Sequence, residues 1–148
     1  MTPITTRATN AAQIQELLDK WADAVRAKDS KALMSNFSPD VLVFDLINPL
    51  QYVGLESLQE RAENWLGSFE GPLGYQTDQV SITAGDDVAF CHSLNRVNGT
   101  KKDGMKIDMY WRATLCFRKI HGRWMVTHEH SSVPFDMNSG KASLGLKP

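Results

Sequence analysis

The sequence predicts an α+β fold, with helices packed on one curved antiparallel sheet. Three observations carry that expectation. Early in the chain, apolar residues recur at spacings of 3 and 4, the period of a helix with one buried stripe. From residue 77 on, β-branched and aromatic runs take over, broken by short Gly- and Asp-containing turns. No internal repeat and no linker composition interrupts the 148 residues, so one domain spanning 1–148 is expected, with a core of about 10–136 and a mobile tail at 137–148.

Each element has its own signal. Residues 9–28 read as a helix through Ile14, Leu17, Leu18, Trp21 and Val25, with Thr9 or Asn10 as its cap. Residues 30–36 read as a short second helix capped by Ser30, anchored by Phe37 and stopped by Pro39. VLVFDLI, 41–47, reads as a strand that carries one acid, Asp45. Residues 55–68 form a third amphipathic helix through Leu55, Leu58, Ala62, Trp65 and Leu66, ended by Gly67 and the GPLG that follows. Strands are expected at 77–85, 88–98, 105–119 and 123–133, with GTKKDG as a turn.

Composition excludes several function classes. The net charge is −1, with no basic block, which argues against a nucleic-acid partner and against a charged membrane surface. No segment approaches the roughly 18 apolar residues of a spanning helix, and the start lacks a signal-like apolar run, so a cytoplasmic protein is expected. Cys91 and Cys116 lie in strand-like runs without metal spacing and read as two reduced thiols.

The last hairpin permits a register argument. With His121 and Gly122 as a two-residue turn, Phe117 pairs with Val126, Leu115 with His128 and Thr114 with Glu129. One face then carries Trp111, Ala113, Leu115, Phe117, Trp124, Val126, His128 and His130. The other carries Tyr110, Arg112, Thr114, Cys116, Met125, Thr127, Glu129 and Ser131. Both faces are apolar enough to need a cover, which motivates a homodimer through one sheet face.

Three helices interleaved with a first strand, then a meander ending in GRWMVTHEHSSVPF, resemble the SnoaL-like and ketosteroid-isomerase-like superfamily. Its cone-shaped fold is also called nuclear-transport-factor-2-like or cystatin-like. The resemblance covers roughly residues 10–136. It implies three N-terminal helices packed on a curved mixed, mainly antiparallel sheet around an apolar pocket. It implies no cofactor and no metal. The activity it implies is that of an isomerase, dehydratase or cyclase moving protons on a carbonyl or polyketide-like substrate. The alternative is a non-catalytic ligand-binding or association module of the same fold.

The resemblance also assigns residues. Asp45, ending the first strand shortly before Gly54 opens a helix, matches the general base of the isomerases; the other reading is an acid bonded to its own loop. The isomerases polarise the carbonyl with a first-helix Tyr and a later-strand acid. Here the first helix carries Trp21 and no Tyr, and the later position falls near Thr114 or Leu115. If the isomerase face assignment holds, Arg112, Thr114, Thr127, Glu129 and Ser131 face the cone. Arg112 then either binds a carboxylate or oxyanion, or pairs with Glu129. Trp21 and Trp65 are core residues that would line a hollow cone, and Tyr52 could lie over it as a lid. His128 and His130 share a strand face as a His-x-His pair without an evident third ligand; His92 is a further candidate, and His130 is a pocket residue if the faces are reversed. A small apolar or carboxylate-bearing molecule is the expected partner.

Overall fold

The computed structural model describes residues 3–148, with side chains from Arg7 onward. Helix α1, Pro3–Arg26, buries Ile14, Leu18, Ala22 and Val25 along one stripe. It starts earlier than the sequence signal, so Thr9 and Asn10 lie inside it rather than capping it. Asn10 is 2% exposed and ties the helix to the sheet: its amide donates to Gly85 O at 3.0 Å, and Lys119 Nζ donates to its Oδ1 at 3.0 Å. Helix α2, Ser30–Met34, is capped by Asp29 rather than Ser30, the Asp29 carboxylate accepting from Ala32 N–H at 3.0 Å. Helix α3, Leu55–Gly67, buries Leu58, Ala62 and Leu66.

The strands are β1 (Phe37–Phe44), β2 (Tyr52–Val53), β3 (Phe69–Ala84), β4 (Val88–Lys101), β5 (Lys106–Ile120) and β6 (Arg123–Ser132). They form one sheet in the order β2-β1-β6-β5-β4-β3. Only β1 and β6 run parallel; every other neighbouring pair is antiparallel. The helices cover one face of this mixed sheet, and the hydrophobic core lies between them.

Two boundaries depart from expectation for the same reason. Pro39 does not stop a helix; it lies within β1, where the β1–β6 ladder is interrupted between Phe37 and Leu42. GPLG does not serve as the stop after α3, which ends at Gly67; it lies within β3, where the register shifts between Glu70 and Gly74. Bulges and sheet edges tolerate Pro and Gly because the missing donor or side chain is not needed there.

The hairpin turn forms as the sequence indicates. His121 and Gly122 have φ of 50° and 77°, and Phe117 pairs with Val126. Beyond that point the register slips: Cys116 pairs with His128, Leu115 with Glu129 and Thr114 with His130. Thr127 is the extra residue, a β-bulge whose hydroxyl lies 3.4 Å from Cys116 O. One inserted residue reverses the side-chain alternation. Trp124 and Val126 face the helices, and past the bulge Glu129 and Ser131 do so.

Candidate functional site

A cavity of about 160 Å³ lies between the helices and the inner sheet face. Its apolar wall includes Trp21, Val25, Met34, Phe37, Trp65, Met109 and Trp111. Trp21 packs against Phe37 in a tilted arrangement, 5.1 Å between ring centres, and Trp111 lies 6.0 Å from Tyr75. These walls follow from periodicity: α1 and α3 turn their stripes inward, and β5 presents alternate residues Met109, Trp111, Ala113 and Leu115.

The polar groups fall into two sets. The first is a cluster of charge at the β1–β6 side. Asp45, the residue after β1, is held by Arg61 of α3, whose Nε donates to Oδ2 at 3.1 Å. The Leu46 N–H donates to Asp45 Oδ1 at 2.7 Å. The Asp45 and Arg61 side chains are 15% and 21% exposed, so the pair is largely out of water. Glu129 projects from β6, where its partners are Val43 and Leu115. Protein surrounds its carboxyl, while the cavity lumen leaves the residue only half-buried by surface area. Burial, and then the negative charge of Asp45, push Glu129 from 4.5 up to about 8, with Arg61 opposing.

The second set spans β3 and β4. Ser93 Oγ donates to Asn95 Oδ1 at 2.7 Å, and Asn95 Nδ2 donates to the Tyr75 hydroxyl at 3.0 Å. Burial, followed by the charges of Glu129 and Cys91, holds the Tyr75 phenol well above its ordinary range, so it stays protonated. Cys91 also lines the cavity, and burial pushes its thiol up to about 11. Cys116 lies on the neighbouring strand one row away, beside Phe90 and His128; both cysteines are free.

Of the residues expected to face or line the cone, Asp45, Trp21, Trp65, Glu129 and Ser131 line the cavity. The other expected site residues do not. Arg112 and Thr114 point to the outer face because β5 presents its odd-numbered residues inward; Arg112 is exposed and donates to Ser132 Oγ at 3.1 Å, far from any pairing with Glu129. His92 and His130 flank Thr114 on that same outer face. Both are exposed, and His130 packs edge-on against Phe44 at 5.5 Å. His128 also packs on Phe44, its Nδ1 2.7 Å from Leu42 O. Tyr52 lies in the edge strand β2, its hydroxyl 3.3 Å from Asn48 O, and is no lid over the cavity. Among the described residues, no group of three His, Cys, Asp or Glu side chains is arranged to hold a metal ion.

Arg61, Tyr75, Ser93 and Asn95 were not among the expected site residues. Arg61 had a signal: it sits three after Leu58 and four before Trp65, a charge inside an apolar helical stripe. Tyr75 had none, because GPLG placed it outside the predicted strand.

Helices closing a curved mixed sheet over an internal, acid-bearing pocket define the nuclear transport factor 2-like class. The SnoaL-like domain matches residues 14–136, and the chain belongs to that family. A nuclear transport factor 2-like protein of unknown function from Pseudomonas putida is 32% identical over 95% of this chain and 98% of its own, with a TM-score of 0.87. Two structures share the fold at lower identity. One is a candidate scytalone dehydratase from Novosphingobium aromaticivorans, 12% identical over 98% of this chain and 99% of its own, with a TM-score of 0.80. The other is a ketosteroid isomerase-like protein from Erwinia carotovora, 20% identical over 82% and 94%, with a TM-score of 0.70. No curated protein sequence matches the chain.

Proposed function

We propose that this protein binds a small carbonyl compound in its cavity and moves protons on it without a cofactor, as an isomerase or dehydratase does. The observation that carries the reading is the placement of two carboxyl groups in unlike surroundings: Asp45 ion-paired to Arg61, and Glu129 buried and pushed up to about 8. A buried acid raised this far, beside an ion-paired carboxylate, separates the roles of acid and base. Asp45, as carboxylate, takes a proton from the carbon next to the carbonyl. Protonated Glu129 gives one to the far carbon of the dienolate, completing an isomerisation, or to a departing hydroxyl, which leaves as water. A water chain then returns the proton from Asp45 to Glu129. Arg61 stabilises the negative charge that moves to the carbonyl oxygen.

Fold neighbours described as dehydratase and isomerase-like are compatible with this chemistry. The test is exchange of α-protons of small cyclic ketones in deuterated water, together with double-bond migration in their β,γ-unsaturated relatives. Exchange lost in Asp45→Asn and migration lost in Glu129→Gln, with both kept in Arg112→Ala, support the reading. Full migration in Glu129→Gln contradicts it.

A second reading, a binding module without turnover, draws on one observation: Arg61 already occupies one oxygen of Asp45. Ligand-induced stabilisation with no exchange on any ketone would favour it. We further propose a homodimer through the outer sheet face, where Val88 and Phe90 are 54% and 47% exposed. A monomer by light scattering at micromolar concentration would refute the dimer.

A further inference from the structure

The Ser93–Asn95–Tyr75 chain has a direction. The Ser93 hydroxyl takes the Asn95 oxygen, which turns the Asn95 nitrogen toward Tyr75. The Tyr75 oxygen therefore accepts, and its own hydrogen points away from Asn95. Among the described residues no acceptor receives that hydrogen. Tyr75 is 8% exposed and lines the cavity, and a buried hydroxyl finds its partner in whatever occupies the space.

Tyr75 and the charged cluster stand at opposite sides of the sheet's inner face. β3 and β6 are three strand spacings apart, roughly 14 Å measured along the sheet, and its curvature brings their side chains closer across the cavity, within reach of the Glu129 charge on the Tyr75 phenol. Each side chain then extends over the concave surface, which leaves room for one ring with its substituents. The volume agrees. The cavity measures about 160 Å³, and an apolar cavity of about 150 Å³ takes up benzene. Trp21, Trp65 and Trp111 supply flat walls for such a ring.

We propose that the ligand is a single-ring compound with oxygen functions at two opposite edges, one accepting from the Tyr75 hydroxyl and the other meeting Arg61 and Glu129. Only the second pole rests on the acid–base reading; the Tyr75 pole stands on its own hydrogen bonds. Asn95 and Ser93 are positioning residues, which fix where the Tyr75 hydrogen points.

The test measures binding of four probes by calorimetry and ligand-observed NMR: 4-hydroxyacetophenone, acetophenone, toluene and 2-acetylnaphthalene. 4-Hydroxyacetophenone should bind tightest, and the two-ring probe should bind weaker than acetophenone. Tyr75→Phe should weaken 4-hydroxyacetophenone about tenfold, acetophenone less, and leave toluene unchanged. Ser93→Ala should produce a smaller loss, about threefold, with toluene again unchanged. Glu129→Gln should leave the effect of Tyr75→Phe intact, so a failed exchange assay with this pattern retained overturns the acid–base reading alone. The inference is overturned if Tyr75→Phe binds 4-hydroxyacetophenone as wild type does, if toluene is weakened equally, or if 2-acetylnaphthalene binds best.

Discussion

Arg61 reaches from α3 to Asp45 at the end of β1, Nε to Oδ2 at 3.1 Å, and both side chains are largely buried. Removing one member of such a pair strands the other charge. Arg61→Met should destabilise the protein by about 2 kcal/mol in urea unfolding, since some water still reaches the pair. The double variant Arg61→Met, Asp45→Asn should recover much of that loss, because no unpaired charge then remains.

Glu129 ties stability to pH. Its folded value, about 8, lies above the unfolded 4.5, so the folded chain holds an extra proton between those limits. Stability should therefore fall as pH rises through that window and level off above it. Glu129→Gln should remove this slope and be more stable than wild type above the window. The difference should be about 3 kcal/mol, less than the full shift implies because the lumen wets the carboxyl. Thermal melts across the range check both the sign and the plateau.

Gly54 precedes α3 at φ 89° and ψ 157°, a region that side chains with a Cβ rarely enter. No side chain blocks the space, the nearest atom to an added Cβ being Pro39 O at 3.7 Å, so the cost of Gly54→Ala is backbone strain. We expect a loss of about 2 kcal/mol. Ligand affinity should fall as well, since α3 carries Arg61 and Trp65 into the cavity.

Arg112 lies on the outer face, and its loss should not be felt inside. Arg112→Ala should change ligand affinity less than twofold and stability by under about 0.5 kcal/mol. A large drop in affinity, read by calorimetry, would mean that the inner face of β5 has been misassigned.

Fold class and element order were legible because the helical stripes and the β-rich second half are long and regular. The helix stripe brought Trp21 and Trp65 to the cavity, and the end of the first strand brought Asp45 there. The resemblance placed Glu129 inward correctly but paired it with Arg112 and Thr114, which face outward. A single residue explains the error. Strict alternation from the His121–Gly122 turn put Glu129 on the face of Arg112, and the bulge at Thr127 moved it to the face of Leu115. Bulges leave little trace in a sequence, because Thr suits a regular strand equally well. Tyr75 stayed hidden because Gly and Pro beside it read as a loop, where the edge position of β3 allows them in a strand. Arg61 was legible in principle, as a charge within an apolar helical stripe.

The proposed chemistry requires a carboxylic acid in the cavity that is neutral at physiological pH. A carbon-13 NMR titration of the Glu129 side-chain carboxyl tests it directly. The midpoint should lie near 8 and fall in Asp45→Asn as the neighbouring negative charge is removed. A midpoint near 4.5, unmoved by Asp45→Asn, would contradict it.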